Sequence, residues 1–183
     1  ALAIELLTRF VFVDESGFQV GMTRTHARST RGQRAHGRVL RNRGRTLTLL
    51  AGLTLEGTFA PMLIEGGTDR EVFLAYLDGV LIPSLKPFQI VIMDNLGAHH
   101  AHGVRERIEA AGCSVLFLPP YSPDLTPIEM LFSKLKTLVR SLAHRTHATL
   151  TSVIARVLDN VTPDDCRGWF DHAGYRNKPD PLK

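Results

Sequence analysis

The chain has 183 residues, 44% of them hydrophobic, which suits one domain with a real core. No apolar run reaches the length of a membrane span and no signal-peptide pattern opens the chain, so a cytoplasmic protein outside any membrane is expected. The two cysteines, Cys113 and Cys166, make no disulfide framework and no C-x-x-C pair, and buried thiols are the expectation for both.

In chain order, residues 1–9 read as a short helical lead-in or linker remnant, with Leu2, Leu6 and Leu7 apolar. The run at 10–13, β-branched and aromatic, suits a strand buried on both faces. It ends in D-E-S-G, so Asp14 falls at the carboxyl end of a central strand, on the face of Phe10 and Phe12. Gly17 is expected to turn the chain into a second strand at 18–22.

A one-signed block follows. The formal net charge of the whole chain is only +4, yet between Gly17 and Leu55 there is no Asp or Glu. Arginine stands there at Arg24, Arg28, Arg31, Arg34, Arg38, Arg41, Arg43 and Arg45. Such a block is either a solvated loop or a surface for nucleic-acid phosphates, to which arginine is suited by its bidentate fork. The density of arginine favours a nucleic-acid partner.

Residues 46–55 read as a strand, Glu56-Gly57 as a turn and 58–65 as the returning strand, an antiparallel meander with the first. Thr68-Asp69-Arg70-Glu71 fits a capping box that opens a helix with Val72, Phe73, Tyr76, Leu77, Val80 and Leu81 on one face, and Pro83 should stop it. A second buried strand at 89–93 ends at Asp94-Asn95. A helix through Val104 and Ile108 ends near Gly112, and 114–118 is a short strand.

The stretch 118–142 is the most informative. A proline-rich loop leads to a helix start at Thr126-Pro127. Ile128, Leu131, Phe132, Leu135, Leu138, Val139 and Leu142 then recur on one helical face. Beyond it, Leu150 to Leu158 mark another helix, and Thr162-Pro163-Asp164-Asp165 caps a last one bearing Trp169 and Phe170. Residues 176–183, with two prolines, read as a loose tail. The order β-β-β-α-β-α-β-α describes an α/β domain in which a hairpin sheet is extended by crossover units.

Two aspartates thus end two buried strands, and Glu129 stands in the first turn of a helix on the same sheet. If the strands are adjacent, Asp14 and Asp94 converge at one sheet edge. Converging carboxylates without His or Cys repel each other unless a hard divalent cation such as Mg²⁺ or Mn²⁺ lies between them. Two such ions can activate an attacking oxygen and stabilise the leaving oxygen of a phosphodiester. The alternatives are ordinary: an Asp at a strand end often makes a turn, and Thr126 with Glu129 fits a capping box. Asp124 reads as a turn residue, and Glu15 points to the opposite face of its strand. His99, His100 and His102 are compact, but nothing completes a tetrahedral zinc site around them.

D-E-S-G-F at 14–18, D-N-L-G-A-H at 94–99 and L-P-P-Y-S-P-D-L-T-P-I-E at 118–129 closely resemble the three motifs of mariner-type insertion-sequence transposases. The likeness runs from about Phe10 to Tyr175 and includes a closing C-R-G-W-F-D-H-A-G-Y, and the 34 residues between Asp94 and Glu129 match the bacterial branch. The resemblance implies a DDE enzyme with a ribonuclease H-like core over 10–175, a mixed five-stranded sheet flanked by helices. It makes Asp14, Asp94 and Glu129 the catalytic, metal-binding triad for two Mg²⁺ or Mn²⁺ ions, and places Asn95 and His99 in the second motif beside it. Transposon ends and target DNA are the implied partners, with a homodimer at work on the bacterial nucleoid. Thr126 and Phe132 stand where the family usually has Asn and Trp. The family also carries helix-turn-helix modules ahead of its core, and no such pattern precedes Phe10.

Glu129, Ser133, Lys136 and Arg140 fall on one helical stripe, which assigns Lys136 and Arg140 to DNA phosphates or to an ordinary charged flank. The expected function is metal-dependent DNA strand cleavage and strand transfer. Two alternatives share these features: an idle fragment that binds DNA without cutting it, and another nuclease on the same fold, such as a ribonuclease or resolvase.

Overall fold

The computed structural model describes residues 2–37, 44–95, 103–119, 122–142 and 146–175. A short helix, α1 (Leu2–Leu7), leads into β1 (Phe10–Phe18). Strands β2 (Leu47–Thr54) and β3 (Gly57–Glu65) follow, then α2 (Arg70–Tyr76), which runs through a π-helical turn (Leu77–Leu81) into α3 (Ile82–Ser84). β4 (Ile90–Met93), α4 (Val104–Ala110) and β5 (Ser114–Phe117) complete the sheet region. A 3₁₀ turn (Pro123–Leu125) precedes three helices, α5 (Ile128–Ser141), α6 (His147–Leu158) and α7 (Pro163–His172).

The five strands lie in the order β3-β2-β1-β4-β5. β1 pairs antiparallel with β2 and parallel with β4, β2 pairs antiparallel with β3, and β4 pairs parallel with β5. The sheet is therefore mixed, as expected. Alternation along β1 divides its side chains between two cores. Phe12 and Phe18 join Ile92 under the apolar faces of α5, α6 and α7. Val11 and Val13 join Val91 and Met93 under the α2–α3 rod and α4. Most of the α5 stripe predicted from periodicity packs, with Ile128, Leu131, Phe132, Leu135 and Val139 buried and Leu138 partly so, while Leu142, just past the helix end, is exposed.

Four local expectations are corrected. Gly17 is not a turn: β1 runs through it to Phe18, and no strand forms at 18–22. It lies opposite Thr48, and a Cβ there would come within 3.2 Å of Thr46 Cγ2, so the glycine serves a close approach in the strand. The cap of α2 is Asp69, whose side chain accepts from the Val72 amide, while the Thr68 hydroxyl is buried with no partner. Pro83 does not stop its helix but sits inside α3, where the missing N–H is tolerated because the preceding turn is already π-wound. At the start of α5, Pro127 rather than Thr126 takes the cap position and makes no side-chain cap bond. The boxes at Thr146–Thr149 and Thr162–Asp165, by contrast, close from both sides.

At the outer edge of the sheet the β2–β3 register shifts between Leu50 and Gly52, opposite Ala60 and Pro61. Ala60 takes φ 45° there, so the bulge bends β3 around an exposed proline.

Candidate active site

The parallel pairing of β1 with β4 matches Phe10 to Ile90 and ends with Val13 against Met93. The next residue after each is an aspartate: Asp14, still within β1, and Asp94, just past the end of β4, whose charge registers at Asp14. Alternation puts Asp14 on the face of Phe12. That face is the one covered by α5, since Phe12 and Ile92, two residues earlier on each strand, both pack beneath it. Sequence reasoning expected Asp14 at a strand end. β1 in fact continues past it, pairing onward with β2, and only the β4 side opens at Asp14. The opening creates the site.

The electrostatics of Asp14 record this position. Its carboxyl is pushed up from an ordinary 3.8 to about 7, chiefly by burial. The Glu15 amide, donating to Asp14 Oδ1 at 2.8 Å, pulls it back, while the charges of Asp94, Glu15 and Glu129 raise it further. Asp94 and Glu129 are thus close enough for their fields to register at Asp14. Asp94 is half-buried, Asn95 is exposed, and Glu129 is exposed in the first turn of α5.

Glu129 lies in a surface cleft of about 700 Å³ shared with Asp124, Thr126, Met130, Ser133 and His172. Asp124, read from sequence as a turn residue, does sit in the 3₁₀ turn, and it also borders the cleft. His172 was not foreseen. It comes from the last turn of α7, and its only sequence signal was membership of the closing D-H-A-G-Y.

The stripe on α5 divides. Ser133 faces the Glu129 cleft, whereas Lys136 and Arg140 line a separate groove of about 500 Å³ with Gly17, Gln19, Gly21, Met22, Thr23 and Thr46. The groove lies where β1 ends and the arginine-rich segment begins. Arg24, Arg28, Arg31 and Arg34 are exposed and outside any helix or strand. Arg45 is exposed too, but pairs with Glu65 at 3.5 Å. Arg38, Arg41, Arg43, His99, His100 and His102 lie outside the described residues.

All-oxygen donors on a partly desolvated sheet edge fit a hard divalent cation, which would offset both the burial that chiefly raises the Asp14 pKa and the smaller repulsion from neighbouring carboxylates. Among the described residues no three His, Cys, Asp or Glu side chains stand as a ready cluster for a metal.

A family model for DDE superfamily endonucleases matches residues 9–153. The chain belongs to that family. The matched span includes the segments 14–18, 94–99 and 118–129 and ends before α7. Comparison with curated protein sequences gives no match. Among solved structures, a pre-cleavage Mos1 transpososome superposes with TM-score 0.75 at 20% identity, over 95% of this chain and 57% of that one. The Mos1 mariner paired-end complex with Mn gives 0.75 at 24% identity, over 92% and 53%. The isolated catalytic domain of Mos1 mariner transposase gives 0.66 at 17% identity, over 95% and 84%. The fold of this DDE endonuclease family member is therefore that of the Mos1 catalytic domain, the ribonuclease H-like fold. It spans little more than half the length of the transposases in the two complexes.

Proposed function

We propose that this chain is the catalytic domain, residues 10–175, of a bacterial transposase that cuts DNA at transposon ends and joins the freed strand to target DNA. The observation that carries the reading is the partly buried Asp14 at the point where β4 stops pairing with β1, within range of the charges of Asp94 and Glu129. Asp14 would hold both of two Mg²⁺ or Mn²⁺ ions, with Asp94 and Glu129 each holding one. Once bound, such a pair supplies a more acidic nucleophile and charge stabilisation at the phosphorus and the leaving oxygen. Hydrolysis and strand transfer are both in-line displacements at phosphorus, so one site serves both.

The remaining residues bind and orient. The exposed arginines Arg24, Arg28, Arg31 and Arg34 hold DNA backbone, as do Lys136 and Arg140 across their groove. Arg38, Arg41, Arg43 and Arg45 extend the same basic run, and Asn95 and His99 stand next to Asp94 in sequence. The Mos1 complexes described as paired-end and strand-transfer complexes support transposon ends and target as the DNA partners. Bringing two ends together calls for a homodimer, and the work is done on the nucleoid.

The test is cleavage of end-labelled DNA by the full chain with Mn²⁺, beside Asp94→Ala. Loss of a residue that merely supports a ligand already costs about 10–100-fold in a metal site, so losing the ligand itself should cost at least about 100-fold. Equal cleavage by both proteins, or cleavage by neither, overturns the reading.

A further inference from the structure

The end of α7 is built to turn one side chain back onto the site. Gly174 takes φ 90°, a left-handed conformation that glycine adopts without strain. The Tyr175 amide then donates to the Phe170 carbonyl at 2.9 Å, the six-to-one bond of a Schellman ending. The Tyr175 ring is swung against β1, 5.8 Å from the ring of Phe10 and 5.1 Å from that of Phe12 by centroid, with Phe170 at 6.1 Å. Phe12 in turn meets Phe170 edge-on at 5.3 Å. The phenol reaches past this cluster, and its hydroxyl donates to the Leu125 carbonyl at 2.9 Å.

Both ends of that side chain matter. Phe12 lies two residues before Asp14 on the same face of β1. Leu125 closes the 3₁₀ turn four residues before Glu129. The turn between them has backbone bonds, Glu129 N to Thr126 O and Met130 N to Pro127 O, both 3.2 Å. It has no side-chain cap at Pro127. Tyr175 is an external tie on this turn, and it comes from a segment beyond the residues the family model matches.

We propose that Tyr175 is a positioning residue that sets the reach from Glu129 to Asp14, its ring seated on the strand that carries one carboxylate and its hydroxyl holding the turn that presents the other. The proposal rests on the reading of Glu129 as a metal ligand. Tyr175→Phe keeps the ring cluster and removes only the tie.

The experiment is Mn²⁺ binding to the full chain, followed by the paramagnetic resonance of free Mn²⁺ at pH 8. It compares wild type, Tyr175→Phe, Glu129→Gln and the double variant. Tyr175→Phe should weaken the tightest Mn²⁺ site by about 3- to 10-fold, the scale of one hydrogen bond, with far-ultraviolet dichroism unchanged. In the Glu129→Gln background the same change should have no further effect, because the group it positions is gone. A general loosening of the fold would instead weaken binding equally in both backgrounds, and that result overturns the proposal, as does wild-type affinity in Tyr175→Phe. If Glu129→Gln itself leaves Mn²⁺ binding unchanged, the ligand role falls and the positioning role falls with it. Weakening by Glu129→Gln but not by Tyr175→Phe removes the positioning role alone.

Discussion

The two faces of the sheet differ in what they bury. Beneath the α2–α3 rod and α4 the side chains are apolar from Val11 and Val13 across to Val91 and Met93, and Phe73, Tyr76, Leu77 and Leu81 close over them at or near zero exposure. Beneath α5 and α7 the same strands begin apolar, with Phe12 and Ile92, then turn acidic at Asp14 and Asp94. The helix covering that face places Glu129 at its first turn and leaves it exposed. Both faces bury an apolar core, but only the second also carries carboxylates at its edge.

Truncating the first face should have the largest effect on folding. Phe73→Ala removes a fully buried ring and should cost about 3–5 kcal/mol in denaturant unfolding. A cost below about 1 kcal/mol would mean that Phe73 is not a packing anchor of this face.

On the acidic face the sign reverses. The folded pKa of Asp14 is raised to about 7 from 3.8, so between these values the folded chain holds a proton that the unfolded chain has released. Metal-free stability should therefore fall as pH rises from about 4 to about 7 and level off above, by at most about 1.4 kcal/mol per pH unit and less for the exposed part of the carboxyl. Asp14→Asn should flatten that slope and raise the metal-free melting temperature at pH 8 while abolishing cleavage. Because Mn²⁺ takes the ionised carboxylate, the melting-temperature gain on adding Mn²⁺ should grow with pH toward about 7 in the wild type and vanish in the variant. A metal-free wild-type profile that rises through this window would refute the picture of a face under electrostatic load.

The smallest effect on stability is expected at the groove beside that face. Lys136→Ala with Arg140→Ala should leave unfolding within about 0.5 kcal/mol, since both side chains line an open surface. The same pair should flatten the slope of log affinity for duplex DNA against log salt by about 2, close to one released counterion per lost phosphate contact. An unchanged slope would make the two residues an ordinary charged flank.

Much of this division was legible in the sequence because it follows from periodicity. The unbroken apolar run at the start of β1 and the repeat along α5 depend on local spacing, and both elements formed where the spacing puts them. The approach of Asp94 to Asp14 required only that two buried strands be neighbours and parallel. The errors arose where a residue answers to something distant. Gly17 looks like a turn until Thr46 is brought against it, and Pro83 looks like a stop until the π turn before it is seen. The cap of α2 moved by one residue because Thr68 and Asp69 compete for the same role, and the carboxylate won. His172 and Tyr175 were written in the closing motif, yet their place near Glu129 and its turn depends on how α7 crosses the sheet, which no local pattern encodes.

The bulge at Ala60 and Pro61 bears on how copies of the chain can meet. An open sheet edge offers a row of unpaired N–H and C=O groups that another strand can join. Along β3 that row is broken in its middle, because Pro61 has no N–H to offer and the bulge twists the backbone out of register. A second copy finds no continuous ladder on this side to zip onto, so this edge is protected from joining sheet to sheet.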